Sequence, residues 1–353
     1  MLKRVMAGAA ALLAFVSLPA AAQNITAPPP PVPAGITVEE IKVHGASLVG
    51  NLEGNAVDRE VMVVLPPSYK TSPNKRYPVV YYLHGFAIDG KNFYNYMHVP
   101  EAVAHNAARG DEFIVVVPST LTKMGGSMYS SSVTTGDFER YIAHDVVAYI
   151  DSHYRTIPAR RSRGLVGHSM GGYGATRIGM KHPDVFGSLY IMSPCCLSAR
   201  RARPLTPENA KALAEVKTAA DAARLPGTLR SLLAGAAAWS PNPKNPPLYV
   251  DLPYKDSVLQ DDVLARWAAN APLSFVDQYI GNLRQYNGIA IDVGDQDGLR
   301  ADAARLHDVL DRYGLAHTFE VYTGTHTSAM GVRFQNFVMP FFSQRLCTTQ
   351  KCE

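Results

Sequence analysis

The amino-acid sequence predicts an α/β fold in which helices cover both faces of a mostly parallel, eight-stranded sheet. Short apolar or alternating runs are typical of strands, and from the third strand onward helical patterns separate them. Strands that alternate with helices form parallel sheets, because each connecting helix has to pack on a face of the sheet. A chain of 353 residues, 47% of them hydrophobic and 18% charged, is long enough to bury such a core.

The eight predicted strands are short, and each is bounded by turn residues. They lie at residues 40–47, 60–65, 78–84, 113–118, 162–168, 188–192, 289–293 and 318–322. Five helices are predicted between and after the later strands, at residues 100–107, 137–153, 171–181, 301–313 and 328–345.

The N-terminus has the pattern of a secretory signal peptide. Lys3 and Arg4 precede an apolar stretch over residues 5–18, which leads into an Ala-x-Ala end at residues 20–22. The apolar stretch is shorter than the ~20 residues needed to span a bilayer, so we expect cleavage after Ala22. The expected protein is therefore secreted or periplasmic, with no membrane association after cleavage.

Residues 1–22 are thus assigned to the signal peptide, residues 23–36 to a proline-rich leader and residues 37–353 to one folded domain. An insertion at about residues 198–285, after the sixth strand, interrupts the strand–helix alternation. It contains two helical patterns and a proline-rich run, at residues 207–223, 261–270 and 241–247. Two interpretations stay open for it, a cap that shapes a pocket or a surface elaboration unrelated to any ligand.

The charge of the chain argues against nucleic acid as a partner, and its cysteines leave the disulfide pairing open. The net charge of +4 falls to +2 when Lys3 and Arg4 leave with the signal peptide, which gives no reason to expect nucleic acid as a partner. Four cysteines, at positions 195, 196, 347 and 352, suit an oxidising compartment and allow three disulfide pairings. Since no histidine or aspartate cluster with ligand spacing lies near them, we expect no metal site there.

The most informative motif is Gly167-x-Ser169-x-Gly171, which lies between a predicted strand and a predicted helix. This context is that of a nucleophile elbow, a turn so tight that its flanking positions need glycine. The turn exposes the serine hydroxyl, and the following helix N-terminus supplies N–H groups that can stabilise an oxyanion. We predict that Ser169 is a nucleophile.

A serine nucleophile needs a base and a group that orients the base, and both are expected later in the chain. Asp292 lies inside the seventh strand, whereas Asp295 and Asp297 follow it, and Asp297 could also be only a helix N-cap. His326 lies in the loop after the last strand. Loops after parallel strands meet at one edge of a sheet, so we predict His326 as the base and one of these carboxylates as its partner.

The oxyanion hole and the substrate pocket are predicted from neighbouring segments. Two backbone N–H donors are needed, and we expect them from Met170, which follows the nucleophile, and from Phe86, which follows His84-Gly85. Candidate pocket residues are Met124, Tyr129 and Trp239, with the hydroxyl side chains of residues 130–135.

These motifs together resemble the esterase D and feruloyl esterase-like family of α/β-hydrolases, with its S-formylglutathione hydrolase, enterochelin esterase and antigen 85 mycolyltransferase relatives. The resemblance rests on Leu-His-Gly-Phe at 83–86, Gly-His-Ser-Met-Gly-Gly at 167–172, Gly-Asp-Gln-Asp at 294–297 and Gly-Thr-His at 324–326. It covers roughly residues 60–198 and 288–342. It implies an α/β-hydrolase fold, and it implies that the catalytic acid is Asp297 and the base is His326.

The expected function is that of a secreted serine carboxylesterase with a Ser169–His326–Asp297 triad and an acyl-enzyme intermediate. Its expected substrate is a small-molecule or carbohydrate-linked ester with an aromatic or other acyl group, and no cofactor or metal is needed. An acyltransferase of the antigen 85 type, which moves the acyl group to a sugar or lipid alcohol, is an alternative. A non-catalytic binding module on a hydrolase scaffold is a second alternative.

Overall fold

The computed structural model describes residues 31–199, 205–255 and 258–349, and these belong to one compact unit. The predicted signal peptide and the first part of the predicted leader lie outside the described residues. In the described part of the chain, none of the helices is long and apolar enough to span a membrane.

The eight predicted strands are all present and form one sheet. They are β1 (Thr37–His44), β2 (Asp58–Leu65), β3 (Val79–Leu83), β4 (Ile114–Pro118), β5 (Arg163–His168), β6 (Ser188–Met192), β7 (Gly288–Gly294) and β8 (Thr318–Tyr322). Their order across the sheet is β1-β2-β4-β3-β5-β6-β7-β8. The β1–β2 and β2–β4 pairs are antiparallel, and the five pairs from β4–β3 to β7–β8 are parallel. The predicted mostly parallel sheet and α/β-hydrolase architecture are confirmed.

Fourteen α-helices occur in the described residues: α1 (Ser68–Thr71), α2 (Gly90–Tyr96), α3 (Val99–Ala107), α4 (Phe138–Arg140), α5 (Val147–His153), α6 (Met170–Lys181), α7 (Pro207–Ala214), α8 (Ala219–Arg224), α9 (Gly227–Trp239), α10 (Asp261–Ala269), α11 (Ile280–Leu283), α12 (Arg300–Arg312), α13 (Met330–Arg333) and α14 (Met339–Arg345). Two π-helical stretches, Tyr141–Val146 and Phe334–Val338, join α4 to α5 and α13 to α14.

Three differences from the predicted elements can be described in terms of the local chain. The first strand begins at Thr37 and ends at His44, since residues Ala46–Leu48 turn into a 3-10 helix. The helix predicted at 207–223 is two helices, because Thr218 and Asp221 form a capping box that starts α8. The short helix α2 was not predicted from the sequence; the side chain of its N-cap residue, Asp89, accepts a hydrogen bond from the Asn92 N–H at 2.7 Å.

The strands alternate their side chains between two apolar layers, as a two-residue period requires. One layer packs the sheet against the helical segment 138–153, α6 and α12, and the other packs it against α3 and α14. β3, β4, β5 and β6 are buried along their whole length. A rigid central sheet therefore carries the loops that follow β5, β7 and β8.

The insertion at 198–285 contains α7–α11, and part of it packs with Met124 into a smaller apolar cluster. Leu233, Ala234 and Ala237 of α9 belong to this cluster and are buried. Cys347 is disulfide-bonded, and Cys352 lies outside the described residues.

Candidate active site

Ser169 lies on a sharp turn between β5 and α6. Its backbone has φ +58° and ψ −113°, a strained conformation for a residue with a side chain. A Cβ added to Gly167 would lie 2.0 Å from the Gly171 carbonyl oxygen, and one added to Gly171 would lie 2.1 Å from that of Leu83. Only glycine fits at either position, so the packing enforces the predicted elbow and holds the Ser169 side chain clear of it.

Three side chains that are far apart in the sequence meet at this turn. His326 Nε2 lies 2.9 Å from Ser169 Oγ, and His326 Nδ1 lies 2.8 Å from Asp297 Oδ2. The Asp297 side chain is 1% exposed and the His326 side chain 35% exposed. The carboxylate therefore holds one ring nitrogen of the imidazole while the other ring nitrogen reaches the hydroxyl, as nucleophile activation requires.

The two carboxylates that follow β7 have different partners. Asp295 Oδ1 accepts a hydrogen bond from the backbone N–H of Gly324 at 2.9 Å and so holds the two loops together. Asp297 uses one oxygen for His326 and the other, at 2.8 Å, for the N–H of Leu299. It is therefore both a helix-start acceptor and the partner of the imidazole.

The charge of Asp297 is maintained by its hydrogen bonds. Burial raises the pKa of its carboxyl group, but hydrogen bonds from His326 and from the Leu299 N–H outweigh this effect and hold the pKa below its ordinary value. Asp292 has a structural role, since Arg333 Nε and Nη2 contact its Oδ2 at 3.0 and 2.9 Å, inside the core.

The loop after β3 lies beside the nucleophile, as the oxyanion hole requires. A Cβ on Gly85 would be 3.6 Å from Ser169 Cβ, and Phe86, Met170 and Ser169 line the same cavity. His84 holds this loop in place. Its Nδ1 donates to the Gly85 carbonyl oxygen at 2.8 Å, and its Nε2 accepts the Thr120 N–H at 2.8 Å.

A cavity of about 400 Å³ opens next to Ser169. Aromatic side chains from both the core domain and the insertion line it, namely Phe86, Trp239, Tyr254 and Trp267. The indole N–H groups point to protein hydroxyls, from Trp239 to Ser130 Oγ at 3.2 Å and from Trp267 to Ser240 Oγ at 2.8 Å. The tryptophans therefore present ring surface, and not a polar edge, to a ligand.

The structure differs from the predicted pocket at two of its three named residues. Trp239 lines the cavity, but Tyr129 and Met124 do not. Tyr129 is fully buried because its ring packs at Gly174 and its hydroxyl donates to the His84 carbonyl oxygen at 3.0 Å. Met124 belongs to the apolar cluster of the insertion.

Several residues at the site were missed from the sequence. The cavity wall includes Met128, Cys195, Cys196 and Trp267. The Nε2 of His168, the residue before the nucleophile, lies 2.9 Å from the His326 carbonyl oxygen. Trp267 could have been suspected from the sequence, because it is a large aromatic residue on a predicted helix of the insertion. The sequence pattern did not distinguish the other wall residues from core residues.

Comparison with known proteins shows which family the chain belongs to. The model of a family described as "Putative esterase" matches residues 56–336. The chain belongs to this esterase family. Two curated esterases of Mycobacterium tuberculosis, from strains CDC 1551 / Oshkosh and ATCC 25618 / H37Rv, are 29% identical over 136 residues. That match covers 36% of this chain and only 27% of each mycobacterial protein.

Solved structures of several hydrolases share the fold. A ferulic acid esterase superposes with a TM-score of 0.61 at 22% identity, covering 88% of this chain and 99% of its own. The fluorophosphonate-binding serine hydrolase FphF of Staphylococcus aureus gives 0.59 at 16% identity, covering 88% and 98%. An S-formylglutathione hydrolase from Agrobacterium tumefaciens gives 0.56 at 16% identity, covering 88% and 95%.

Proposed function

We propose that this protein is a serine carboxylesterase that works through Ser169, His326 and Asp297. The observation that carries the proposal is the continuous chain of contacts from Asp297 Oδ2 through His326 to Ser169 Oγ, at 2.8 and 2.9 Å. Membership of the esterase family supports it. A binding module would not need this hydrogen-bonded chain beside a strained serine that lines a cavity.

The geometry gives each residue one task. His326 Nε2 takes the Ser169 hydroxyl proton as the oxygen attacks the ester carbonyl carbon, and Asp297 stabilises the resulting imidazolium. The tetrahedral oxyanion lies against the N–H groups of Met170 and Phe86, each of which contributes about 3 kcal/mol. The imidazolium then protonates the departing alcohol, which leaves an acyl group on Ser169.

Water completes the reaction by the same route in reverse. His326 deprotonates a water molecule, the hydroxide attacks the acyl carbon, and the second tetrahedral intermediate expels Ser169 Oγ, which regains its proton. A carboxylic acid and the free enzyme result. The start of α6 behind the serine adds the positive end of a helix dipole near the oxyanion in both steps.

We further propose that the substrate carries an aromatic or similarly flat apolar group. Phe86, Trp239 and Trp267 offer ring surfaces beside Ser169, in a cavity of about 400 Å³ that fits a group of roughly a dozen heavy atoms. The ferulic acid esterase that shares the fold supports the same substrate class, and we propose a carbohydrate-linked or other small alcohol as the second half of the ester.

Export is proposed as well. The predicted signal peptide and the disulfide at Cys347 both suit an oxidising compartment. Expression of the full sequence in a bacterial host, followed by mass spectrometry of the periplasmic fraction, should give a chain that starts at Gln23. An uncleaved chain confined to the cytoplasm would refute export.

The test of the proposed activity compares the wild type with Ser169→Ala on p-nitrophenyl acetate and methyl hydroxycinnamate esters. We expect turnover by the wild type and a loss of at least about 10⁴-fold in the variant. A fluorophosphonate probe should label the wild type at Ser169 and leave the variant unlabelled. Retained turnover in the variant would refute the proposal.

A further inference from the structure

Three potential metal ligands converge at the end of the sheet opposite to Ser169. His307 and Asp311 are one turn apart on α12, and His317 directly precedes β8. One ligand atom from each lies within 4.8 Å of the other two. The two histidines come together because α12 packs beside β8, where His307 stacks on Phe319.

The imidazole of His317 is held in the orientation and tautomer of a metal ligand. Its Nδ1 lies 2.8 Å from the Leu315 carbonyl oxygen, and since a carbonyl can only accept, the ring proton is on Nδ1. The lone pair on Nε2 therefore accepts the Nδ1–H of His307, 2.8 Å away. A metal ion would take the place of that proton, and His307 would then carry its proton on Nε2. Metal-binding histidines commonly donate their second N–H to a backbone carbonyl in this way, which orients the ring.

The other two ligands can adjust to a bound ion. Zinc–nitrogen bonds of about 2.1 Å place tetrahedral ligand atoms about 3.4 Å apart, so the two imidazole nitrogens need to separate by about half an ångström. The carboxylate of Asp311 lies 3.5 Å from His307 Nε2 and 4.0 Å from His317 Nδ1, which are the ring nitrogens that do not face each other. At 62% exposure the carboxylate can swing toward the facing nitrogens to join the ion. His307 stacks on Phe319 with ring centroids 4.5 Å apart, which limits how far its ring can drift.

We propose that His307, Asp311 and His317 form a binding site for a divalent transition-metal ion, with Zn²⁺ as the best match. Two imidazole nitrogens and one carboxylate oxygen suit Zn²⁺, Co²⁺, Ni²⁺ and Cu²⁺, whereas Mg²⁺ and Ca²⁺ prefer oxygen ligands. The ion ties α12 to the turn before β8. It therefore stabilises the edge of the sheet that carries Asp297 and His326 on its opposite end, without taking part in ester hydrolysis.

Calorimetric titration of tag-free, EDTA-treated protein with ZnCl₂ tests the site directly. We expect one equivalent of Zn²⁺ to bind, and we expect His307→Gln and Asp311→Asn each to weaken that binding at least tenfold. Both positions are partly or well exposed, so these variants should fold. The matched control is His44→Gln, which removes an exposed imidazole whose Nδ1 is 2.7 Å from Asp58 but which has no second imidazole beside it in the described structure.

Thermal unfolding gives a second readout. Zn²⁺ at about 100 times its dissociation constant should raise the melting temperature of the wild type by about 4 °C. We expect the same shift in His44→Gln and in Ser169→Ala, and no such shift in His307→Gln. Because Ser169→Ala removes hydrolysis and keeps this shift, the failure of the metal site and the failure of the proposed esterase are separate results. Absence of a one-equivalent binding event, or equal binding by His307→Gln and the wild type, would overturn the proposal.

Discussion

The Nε2–H of His168 donates a hydrogen bond to the backbone carbonyl oxygen of His326 over 2.9 Å. The two imidazole rings lie with their centroids 4.7 Å apart. Burial, helped by repulsion from His326, lowers the pKa of His168 to about 3, so that its ring is neutral at working pH. The residue next to the nucleophile thus anchors the backbone of the base.

Replacement of His168 should disturb the position of His326. In His168→Phe the His326 carbonyl oxygen loses its donor, and we expect kcat to fall about tenfold while KM changes less than about twofold. His168→Gln keeps an N–H near the same place and should recover most of the rate. The measurement is steady-state kinetics on folded protein. A wild-type kcat in His168→Phe would show that the contact does not position the base.

Asp295→Asn and Asp297→Asn distinguish the roles of the two carboxylates that follow β7. Asp297 orients the imidazole, so its amide should lower kcat by about 10³–10⁴-fold, because the ring then takes the wrong tautomer. Asp295 only accepts the Gly324 N–H, and its amide oxygen retains that ability, so kcat should stay within about tenfold. Equal losses in the two variants would contradict the assignment.

Gly171→Ala should prevent the elbow from forming. The new Cβ would lie 2.1 Å from the Leu83 carbonyl oxygen, and backbone cannot move aside cheaply. We expect the free energy of unfolding to fall by more than about 4 kcal/mol, measured by urea unfolding or by loss of soluble protein. Gly281→Ala is the control, because a Cβ there meets no atom within 4 Å. We expect its free energy of unfolding to stay within about 1 kcal/mol of the wild-type value.

Acid should destabilise the fold through two buried histidines. Burial lowers the pKa of His84 to about 4 and that of His168 to about 3, both below the ordinary value of 6.5. Between that value and the folded-state pKa the unfolded chain binds more protons, so stability falls as pH falls, by up to about 1.4 kcal/mol per pH unit for each histidine. Urea unfolding at pH 7, 6 and 5 measures this, and a flat profile would contradict it.

Trp267→Ala should change substrate preference more than chemistry. The ring lies on the cavity wall, so its loss should raise KM for a methyl hydroxycinnamate about tenfold and should affect p-nitrophenyl acetate little. Val258→Ala, at an exposed position of the same insertion, is the control. Equal effects of Trp267→Ala on both esters would argue against an aromatic pocket.

The eight strands, the elbow around Ser169 and the chain order of nucleophile, acid and base could all be predicted from the sequence. These follow from local rules, because a turn with no room for a Cβ demands glycine, and loops that follow parallel strands meet at one edge. All eight strands lie within a few residues of their predicted bounds.

Which side chains are partners became clear from the folded arrangement, and not from the sequence. Position in the sequence left open whether Asp295 or Asp297 is the partner of the base. In the structure Asp297 contacts His326, and Asp295 accepts a hydrogen bond from the Gly324 N–H. Tyr129, which a pattern of polar loop residues placed in the pocket, is in the core. The direction of a side chain and its nearest neighbours depend on packing between segments that are distant in sequence, and no local pattern records that packing.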